Sequence, residues 1–371
     1  MSALAEDVRR SLSVATAQAP RTAARARLAL LGTGNVGGAV LERLAGWVGT
    51  PFGEKLELAY VANTRQSLHP HTLTPTPLPQ TGEGLSRVAP ALGEDGTRIV
   101  IDATASAEVA ARHAGWLAQG IHVVTACKLA RGTSLAAWQV IEAACVAGDS
   151  HYGDAATVGA GLPLLRSIRE LRAGGDRVTA IAGVLSGSLA WLFNHYDGLR
   201  PFSGFVREAR DAGYTEPDPR EDLSGEDVRR KLLILARAAG VQLEQDEVEV
   251  ASLVPDEIAA LPKEEVDASL PRLDPLLRER YAKAYKNGEK LRFIARLERN
   301  ADGGWSARVG LDALSVDHPL AGGAGTDNKV AIWSDRYDDQ PLVIQGPGAG
   351  AGVTAAGLLD DALRIARGWK K

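Results

Sequence analysis

Residues 27–48 read RLALLGTGNVGGAVLERLAGWV. The segment opens on a short apolar run, Arg27 to Leu31, stopped by glycine. A run of that length reads as a strand buried on both faces of a parallel sheet. GTGNVGG follows, and AVLERLAGWV then repeats its apolar residues at helical spacing. Gly32-Thr33-Gly34-Asn35-Val36-Gly37 therefore matches G-x-G-x-x-G between a strand and a helix, the context that gives the pattern meaning. Each glycine has a steric reason. Gly32 permits the tight turn, Gly34 lets the backbone approach a pyrophosphate, and Gly37 lets helix pack on strand. The helix start adds free N–H groups and a positive dipole end, so Asn35 and Val36 join the glycines as candidate contacts to a dinucleotide. The bland alternative is a glycine turn with no ligand.

Outward from this core, LELAYVA (56–62), RIVIDAT (98–104) and IHVVTA (121–126) read as further strands. AEVAARHAGWLAQG is a helix closed by Gly120. Ser67 to Gly96 holds most of the local Pro, Gly, Thr and His and reads as a long surface loop with at most one helical turn. Alternating strand and helix predicts an α/β, Rossmann-type parallel-sheet nucleotide-binding domain. The second strand ends Val61-Ala62-Asn63-Thr64-Arg65. It lacks the acid that usually reads the ribose hydroxyls of NAD. Arg65 is placed to pair with a 2′-phosphate, which favours NADP, with NAD the alternative and a solvated loop arginine the bland reading.

The rhythm changes near Asp154. LPLLRSIREL reads as a helix, RVTAIAGVLSG as a long strand, and SLAWLFNHY, FSGFVREARDAG and EDVRRKLLILARAAG as three helices. Residues 261–290 are charged and helical, broken by Pro262 and Pro271. LRFIARLE, WSARVGLDAL, VAIWS and PLVIQG alternate like strands, and VTAAGLLDDALRIARGW is a last helix. The expected division is an N-terminal extension (1–25), a nucleotide-binding domain (26–153, completed by 346–371) and an α+β domain (154–345) for catalysis and dimerisation.

The 371 residues are 45% hydrophobic and 24% charged with a net charge of -4, a balance that excludes a largely disordered chain and gives no reason to expect nucleic-acid binding. Two cysteines, Cys127 and Cys145, make neither a disulfide framework nor a zinc site. No stretch approaches the roughly 20 apolar residues of a membrane span. The opening lacks a secretory apolar region, and Glu6 and Asp7 argue against a transit peptide. A cytoplasmic location is the expectation. His69, His71, His195 and His318 read as structural.

The most informative segment is GYTEPDPREDLSGEDVRRK, Gly213 to Lys231. Two prolines fix an extended loop carrying Glu216, Asp218, Glu221 and Asp222. Ser224 is the expected N-cap of the next helix, with Asp227 in the capping-box position. Asp227 and Lys231 stand four apart, on one helix face. The bland reading is a capped surface helix. The apolar LLILARAAG that follows places these charges near a buried region, where convergent charge is usually functional.

With these residues in view the chain resembles the homoserine dehydrogenase family over nearly its whole length, in the short form without an ACT domain or an aspartate kinase fusion. The matching stretches are LLGTGNVG, VVTACK, ATVGAGLPLL, IAGVLSGSLAWLFN, the run from FSGFVREARDAGYTEPDPR to RKLLILAR, DHPLA and VIQGPGAGAGVTAAG. The resemblance implies NAD(P)-dependent interconversion of L-homoserine and L-aspartate 4-semialdehyde, toward threonine and methionine. It implies Lys231 as acid/base at the substrate hydroxyl and Lys128 beside substrate and nicotinamide. Glu216, Asp227 and Asp222 would hold the substrate, with Gly187, Ser188 and Tyr214. Thr104, Lys128, Gly213 and Gly350 would join the cofactor contacts. It further implies a sodium or potassium ion on the main-chain carbonyls of Ala155, Val158, Ala160 and Leu162, and a homodimer built through strands such as WSARVGLDAL and VAIWS, whose exposed edges would want a partner. Threonine inhibition through an ACT domain is not expected.

The substrate chemistry agrees. A zwitterionic amino acid wants carboxylates for its ammonium, and a hydroxyl that loses a proton as hydride leaves wants a base nearby. Four positions depart from the family pattern. Ala155 replaces a glutamate, for which Asp154 is the available stand-in. Cys127 replaces an asparagine, which raises an acylating semialdehyde-dehydrogenase reading against the default of a packing thiol. Glu221 replaces an aspartate. Ala105 replaces a hydroxyl residue, leaving Thr104 as the contact. The rival readings are a non-catalytic NAD(P)-binding sensor on the same fold and a related dehydrogenase with an altered amino-acid substrate.

Overall fold

A computed structural model of the chain describes residues 25–68, 75–77 and 83–368. His69, His71 and residues 1–24 of the N-terminal extension lie outside them. The chain forms two compact units, one comprising residues up to Gly161 together with those from Ala349 onward, the other Leu162–Gly348. Among the described residues no helix is long and apolar enough to cross a membrane.

The first unit is built on β1 (Ala26–Leu31), α1 (Asn35–Gly46), β2 (Leu56–Ala62), β3 (Gln66–Leu68) and β4 (Pro75–Pro77), then α2 (Glu83–Ser86), α3 (Val88–Leu92), β5 (Arg98–Asp102), α4 (Ala107–Ala118), β6 (His122–Thr125), α5 (Leu135–Ala147) and β7 (Tyr152–Gly153). The sheet order is β4-β3-β2-β1-β5-β6-β7. β2, β1, β5, β6 and β7 run parallel, while β3 and β4 add an antiparallel edge. Period-two alternation along β1 builds two cores. Leu28 and Leu30 face Val40 and Leu41 of α1 and Leu358 and Leu359 of the C-terminal helix (Ala351–Ala366). Ala29 and Leu31 face Val88, Leu92, Trp116, Leu117 and Ile141 on the other side.

The long loop expected over 67–96 is not there as such. Leu68, Val88 and Leu92 are fully buried, and the segment contributes β3, β4, α2 and α3. Its prolines and glycines had hidden a short edge hairpin and two short helices. The first unit also runs to Gly161 rather than to residue 153. The Ala155 N–H donates to Asp361 of the C-terminal helix at 3.0 Å, and a Cβ on Gly357 of that helix would sit 2.7 Å from the Ala160 carbonyl oxygen.

The second unit holds α6 (Leu164–Ala173), β8 (Val178–Val184), α7 (Gly187–His195), α8 (Phe202–Asp211), α9 (Arg220–Leu223), α10 (Glu226–Ala238) and β9 (Val248–Val250). After these come α11 (Asp256–Ala259), α12 (Lys263–Ser269), α13 (Asp274–Lys286), β10 (Glu289–Arg299), β11 (Trp305–Ser315), β12 (Asp327–Ser334) and β13 (Leu342–Pro347). Its sheet has the order β13-β12-β8-β10-β11-β9, antiparallel except for the β11–β9 pair. The edges expected on WSARVGLDAL and VAIWS are largely taken. β12 lies between β13 and β8, and β11 is flanked by β10 and, over Ala307–Val309, by β9. Local alternation showed the strands but not their neighbours.

Ser224 is not the helix cap. α10 starts from Gly225 at φ 79°, a left-handed turn that favours glycine, and a Cβ there would lie 2.9 Å from the Phe293 ring. The Ser224 hydroxyl instead donates to the Glu221 carbonyl and accepts the Glu226 N–H. Asp227 is thereby released from capping and pairs with Lys231.

Candidate functional site

In the first unit the glycine turn behaves as its pattern predicts. Gly32 has φ 91°, and a Cβ there would lie 2.8 Å from Thr104 Cγ2. A Cβ on Gly37 would sit 2.0 Å from the Gly32 carbonyl oxygen, so this contact of helix and turn admits glycine alone. Around Gly34 the space is open. No side chain caps α1, and the turn before it walls a cavity of about 380 Å³ through Gly32 and Gly34, together with Asn63, Arg65, Thr104 and Glu108, while Asn35 and Val36 do not line it. Turn, bare helix start and cavity together fit a dinucleotide.

Asn63 occupies the end of β2, where an acid would read ribose. Its Nδ2 donates to Thr33 Oγ1 at 2.9 Å, and its Oδ1 accepts the N–H groups of Arg65 and Gln66. Arg65 is exposed on the cavity wall. Gly350 begins the C-terminal helix at φ 120°.

A residue that the sequence reading passed over organises this end of the sheet. Asp102, the last residue of β5, is fully buried. Its Oδ1 accepts the Thr104 N–H at 2.9 Å and the Thr104 hydroxyl at 2.6 Å. Its Oδ2 accepts the Thr125 hydroxyl at 3.0 Å and faces His113 Nε2 at 3.0 Å. The far nitrogen of His113 meets the Tyr152 hydroxyl at 3.0 Å. Burial pushes the Tyr152 phenol well above its usual range, so it stays protonated. With the phenol as donor, His113 takes the tautomer that donates to Asp102. Thr125 in turn accepts the Cys127 N–H at 2.9 Å, immediately before half-buried Lys128. One carboxylate therefore seats both Thr104 and the approach to Lys128. Cys127 is buried, in keeping with a packing thiol.

The residues implied for a monovalent ion are less accommodating. Asp154, the stand-in for the absent glutamate, takes Arg131 at 2.8 Å. The Leu162 carbonyl already accepts the Leu164 N–H, and no buried side-chain oxygen in this stretch lacks a partner among the described residues. Ala160 does carry a left-handed φ of 53°, an uncommon conformation for a residue with a Cβ. Among the described residues no group of three or more His, Cys, Asp or Glu could hold a metal.

In the second unit the predicted charges converge. Lys231 Nζ lies 2.8 Å from Asp227 Oδ2 and donates to the Leu185 carbonyl at 2.7 Å. The lysine side chain is 12% exposed, its partner 42%. Leu185 leads into Ser186, which caps α7 through the Leu189 N–H. The hydroxyls of Ser186 and Ser188 meet at 2.8 Å, and Ser188 donates to Asp222 Oδ1 at 2.6 Å. Asp222 Oδ2 accepts the Glu216 N–H at 2.8 Å, leaving that glutamate on an exposed loop. Gly187 backs onto Thr326, where a Cβ would come within 3.2 Å of a carbonyl.

Tyr214 is half-exposed with its ring 5.4 Å from that of Trp191 on α7. Gly213, expected among the cofactor contacts, closes α8 at φ 74° and belongs to the second unit. Asn328 was missed. It is fully buried, its Nδ2 lies 3.4 Å from the same Leu185 carbonyl, and its Oδ1 has no partner among the described residues. An asparagine in an apolar strand gave little local signal.

This arrangement presents an oriented ammonium beside carboxylates and hydroxyls, the equipment for moving a proton at a polar substrate. Comparison with known proteins leads the same way. Residues 163–363 match the family model for homoserine dehydrogenase, and residues 32–152 match that for the homoserine dehydrogenase NAD binding domain. The chain is 34% identical over 366 residues to homoserine dehydrogenase of Emericella nidulans, covering 91% of this chain and 97% of that one. It is 42% identical over 270 residues to the chloroplastic bifunctional aspartokinase/homoserine dehydrogenase 2 of Zea mays, covering 72% of this chain but 29% of that protein. The chain thus spans less than a third of the length of that relative. A crystal structure of a Candida auris protein of unknown function superposes with a TM-score of 0.83 at 32% identity, covering 93% of this chain and 99% of that one. The matches extend over both units, and the chain belongs to the homoserine dehydrogenase family.

Proposed function

We propose that the chain catalyses the NAD(P)-dependent interconversion of L-homoserine and L-aspartate 4-semialdehyde. The observation that carries this is the seating of Lys231 between Asp227 and the Leu185 carbonyl, one residue from the Ser186–Ser188–Asp222 chain. In the reducing direction the Lys231 ammonium hands a proton to the substrate oxygen; in the oxidising direction its amine takes the hydroxyl proton back. Asp227 and Leu185 orient that group, while Asp222 and Glu216 supply carboxylates for the substrate ammonium. Lys128 offers a cation for developing negative charge or for the substrate carboxylate.

Bound nicotinamide supplies or accepts the hydride. For the cofactor, Gly32, Gly34, Asn35, Val36 and Gly37 would hold the pyrophosphate, Arg65 a 2′-phosphate, and Thr104 and Gly350 the parts nearer the nicotinamide. The exposed Arg65 and the absence of an acid at position 63 support a preference for NADP. A monovalent ion on Ala155, Val158, Ala160 and Leu162 belongs to the same proposal and rests on the resemblance and on the left-handed Ala160.

The test is NADPH absorbance on adding aspartate semialdehyde to the purified chain. Aldehyde-dependent oxidation with homoserine as product is the expected outcome. NADPH binding without turnover would identify a sensor instead.

A further inference from the structure

Four carboxylates ride on the segment between α8 and α10, and the proposed reaction uses two of them, Glu216 and Asp222. Asp218 is already engaged. Arg220 Nε lies 3.0 and 3.2 Å from its two oxygens, Nη2 donates to Oδ2 at 2.7 Å, and the Arg220 N–H donates to Oδ1 at 3.1 Å. The guanidinium holds the Asp218 carboxyl below the usual carboxylate range. A fork closed on a carboxylate two residues away is local, and alone it would only stiffen the turn.

The remaining nitrogen reaches much further along the chain. Arg220 Nη1 donates to the carbonyls of Ile258 at 3.3 Å, Ala259 at 3.0 Å and Leu261 at 2.6 Å. These carbonyls lie at the end of α11, where the last turn of a helix leaves oxygens without helical partners. The Leu253 N–H donates to the Leu223 carbonyl at 3.0 Å and ties the same two segments again. From the other side Asp222 takes the Ser188 hydroxyl and the Glu216 N–H. The loop is thus held between Ser188 of α7 and residues 253–261, all within the second unit. Pro217 and Pro219 bracket Asp218 and restrict the backbone, so a shift at Arg220 is carried to Glu216 rather than absorbed between them.

We propose that Arg220 is a positioning residue for the substrate: by clamping the loop to the end of α11 it sets where the Glu216 and Asp222 carboxylates meet the substrate ammonium. The inference rests on the proposed homoserine reaction. Lys231 and Asp227 ride on α10, beyond Gly225, and the nucleotide cavity lies in the first unit, so proton transfer and NADPH binding stand apart from the clamp.

The experiment joins steady-state kinetics to hydrogen exchange read by mass spectrometry, both on the full chain. Arg220→Ala should raise the KM for aspartate semialdehyde about tenfold, the loss of one charge-assisted contact. The turnover number and the KM for NADPH should stay as they were, the pattern of lost ground-state binding. Arg220→Lys keeps a cation beside Asp218 without the fork and should raise the KM by less. Without substrate, the peptide from Glu216 to Leu223 should exchange faster in Arg220→Ala while α10 exchanges as in the wild type. An unmoved KM for the aldehyde, a fall in turnover at unmoved KM (the result of a merely structural role), an equal rise in the KM for NADPH, or unchanged exchange in the loop would each overturn the proposal. Should Arg220→Ala fail to fold, Arg220→Lys decides by the same readouts. A wild-type chain without aldehyde turnover would sink the proposed reaction and this substrate role with it, whereas normal wild-type turnover with an indifferent Arg220→Ala would sink the positioning alone.

Discussion

Lys231 is held from two sides, by a carbonyl at 2.7 Å and a carboxylate at 2.8 Å, so its position is set before any substrate arrives. Lys231→Ala should leave NADPH binding unchanged and lower the turnover number by at least about 10²-fold, the value of one positioned proton-transfer group. Fluorescence titration of NADPH beside steady-state kinetics separates the two effects, and near-normal turnover would move the role to Lys128. Arg65 stands exposed on the wall of the first unit's cavity, and the proposed role there is with a 2′-phosphate. Arg65→Ala should raise the KM for NADPH about tenfold, the loss of one charge-assisted contact, and leave the KM for NADH as it was. An unchanged ratio would remove Arg65 from cofactor selection. The Asp227–Lys231 pair was legible because its four-residue spacing is carried on one helix. Asp102 was not, because an aspartate ending an apolar strand looks ordinary until the fold brings His113, Thr125 and Thr104 around it.

Within the glycine turn two positions of one residue type have different reasons, and a pair of variants tells them apart. Gly37→Ala drives a methyl against the Gly32 carbonyl and should cost about 3 kcal/mol or more, read as a lowered Tm without ligand. Gly34 has φ -73° and open space, so Gly34→Ala should fold normally and lose NADPH affinity. Equal Tm values for the two variants would contradict the packing account.

At the start of β6, burial, helped by the neighbouring His151 and Arg98, pushes His122 down to about 4 from its ordinary 6.5. Its ring stacks on His151 and accepts the His151 N–H at 2.9 Å. The unfolded chain takes up that proton first, so the stability His122 contributes is complete above pH 6.5 and is lost as pH falls toward 4. His122→Gln should flatten the fall in stability across that window, measured by urea unfolding at several pH values; an unaltered slope would assign it to other groups.

Elements with a strong internal period were legible, β1, α1 and α10 among them. The two- and three-residue strands β7, β9, β3 and β4 were not, because they exist through their pairing partners rather than through any pattern of their own. The start of α10 was misread for a related reason. A serine looks like a cap on local grounds, and only the Phe293 ring packed under Gly225 shows why glycine holds that place.

At the scale of the molecule, the chain builds the nucleotide-binding unit, leaves it at Gly161 and returns at Ala349 with a helix that completes one of its two cores. Asp361 of that helix takes the Ala155 N–H, a pairing 206 residues apart that no local pattern announces. The proposed division of labour is cofactor on the first unit and proton transfer on the second. Tracing deuterium from NADPH labelled at both C4 positions into product tests this claim most directly. The account predicts that aspartate semialdehyde becomes homoserine carrying one deuterium at its own C4, at a rate that collapses in Lys231→Ala while labelled NADPH still binds. Recovery of unlabelled homoserine, or of a labelled product at an undiminished rate from the variant, would contradict it.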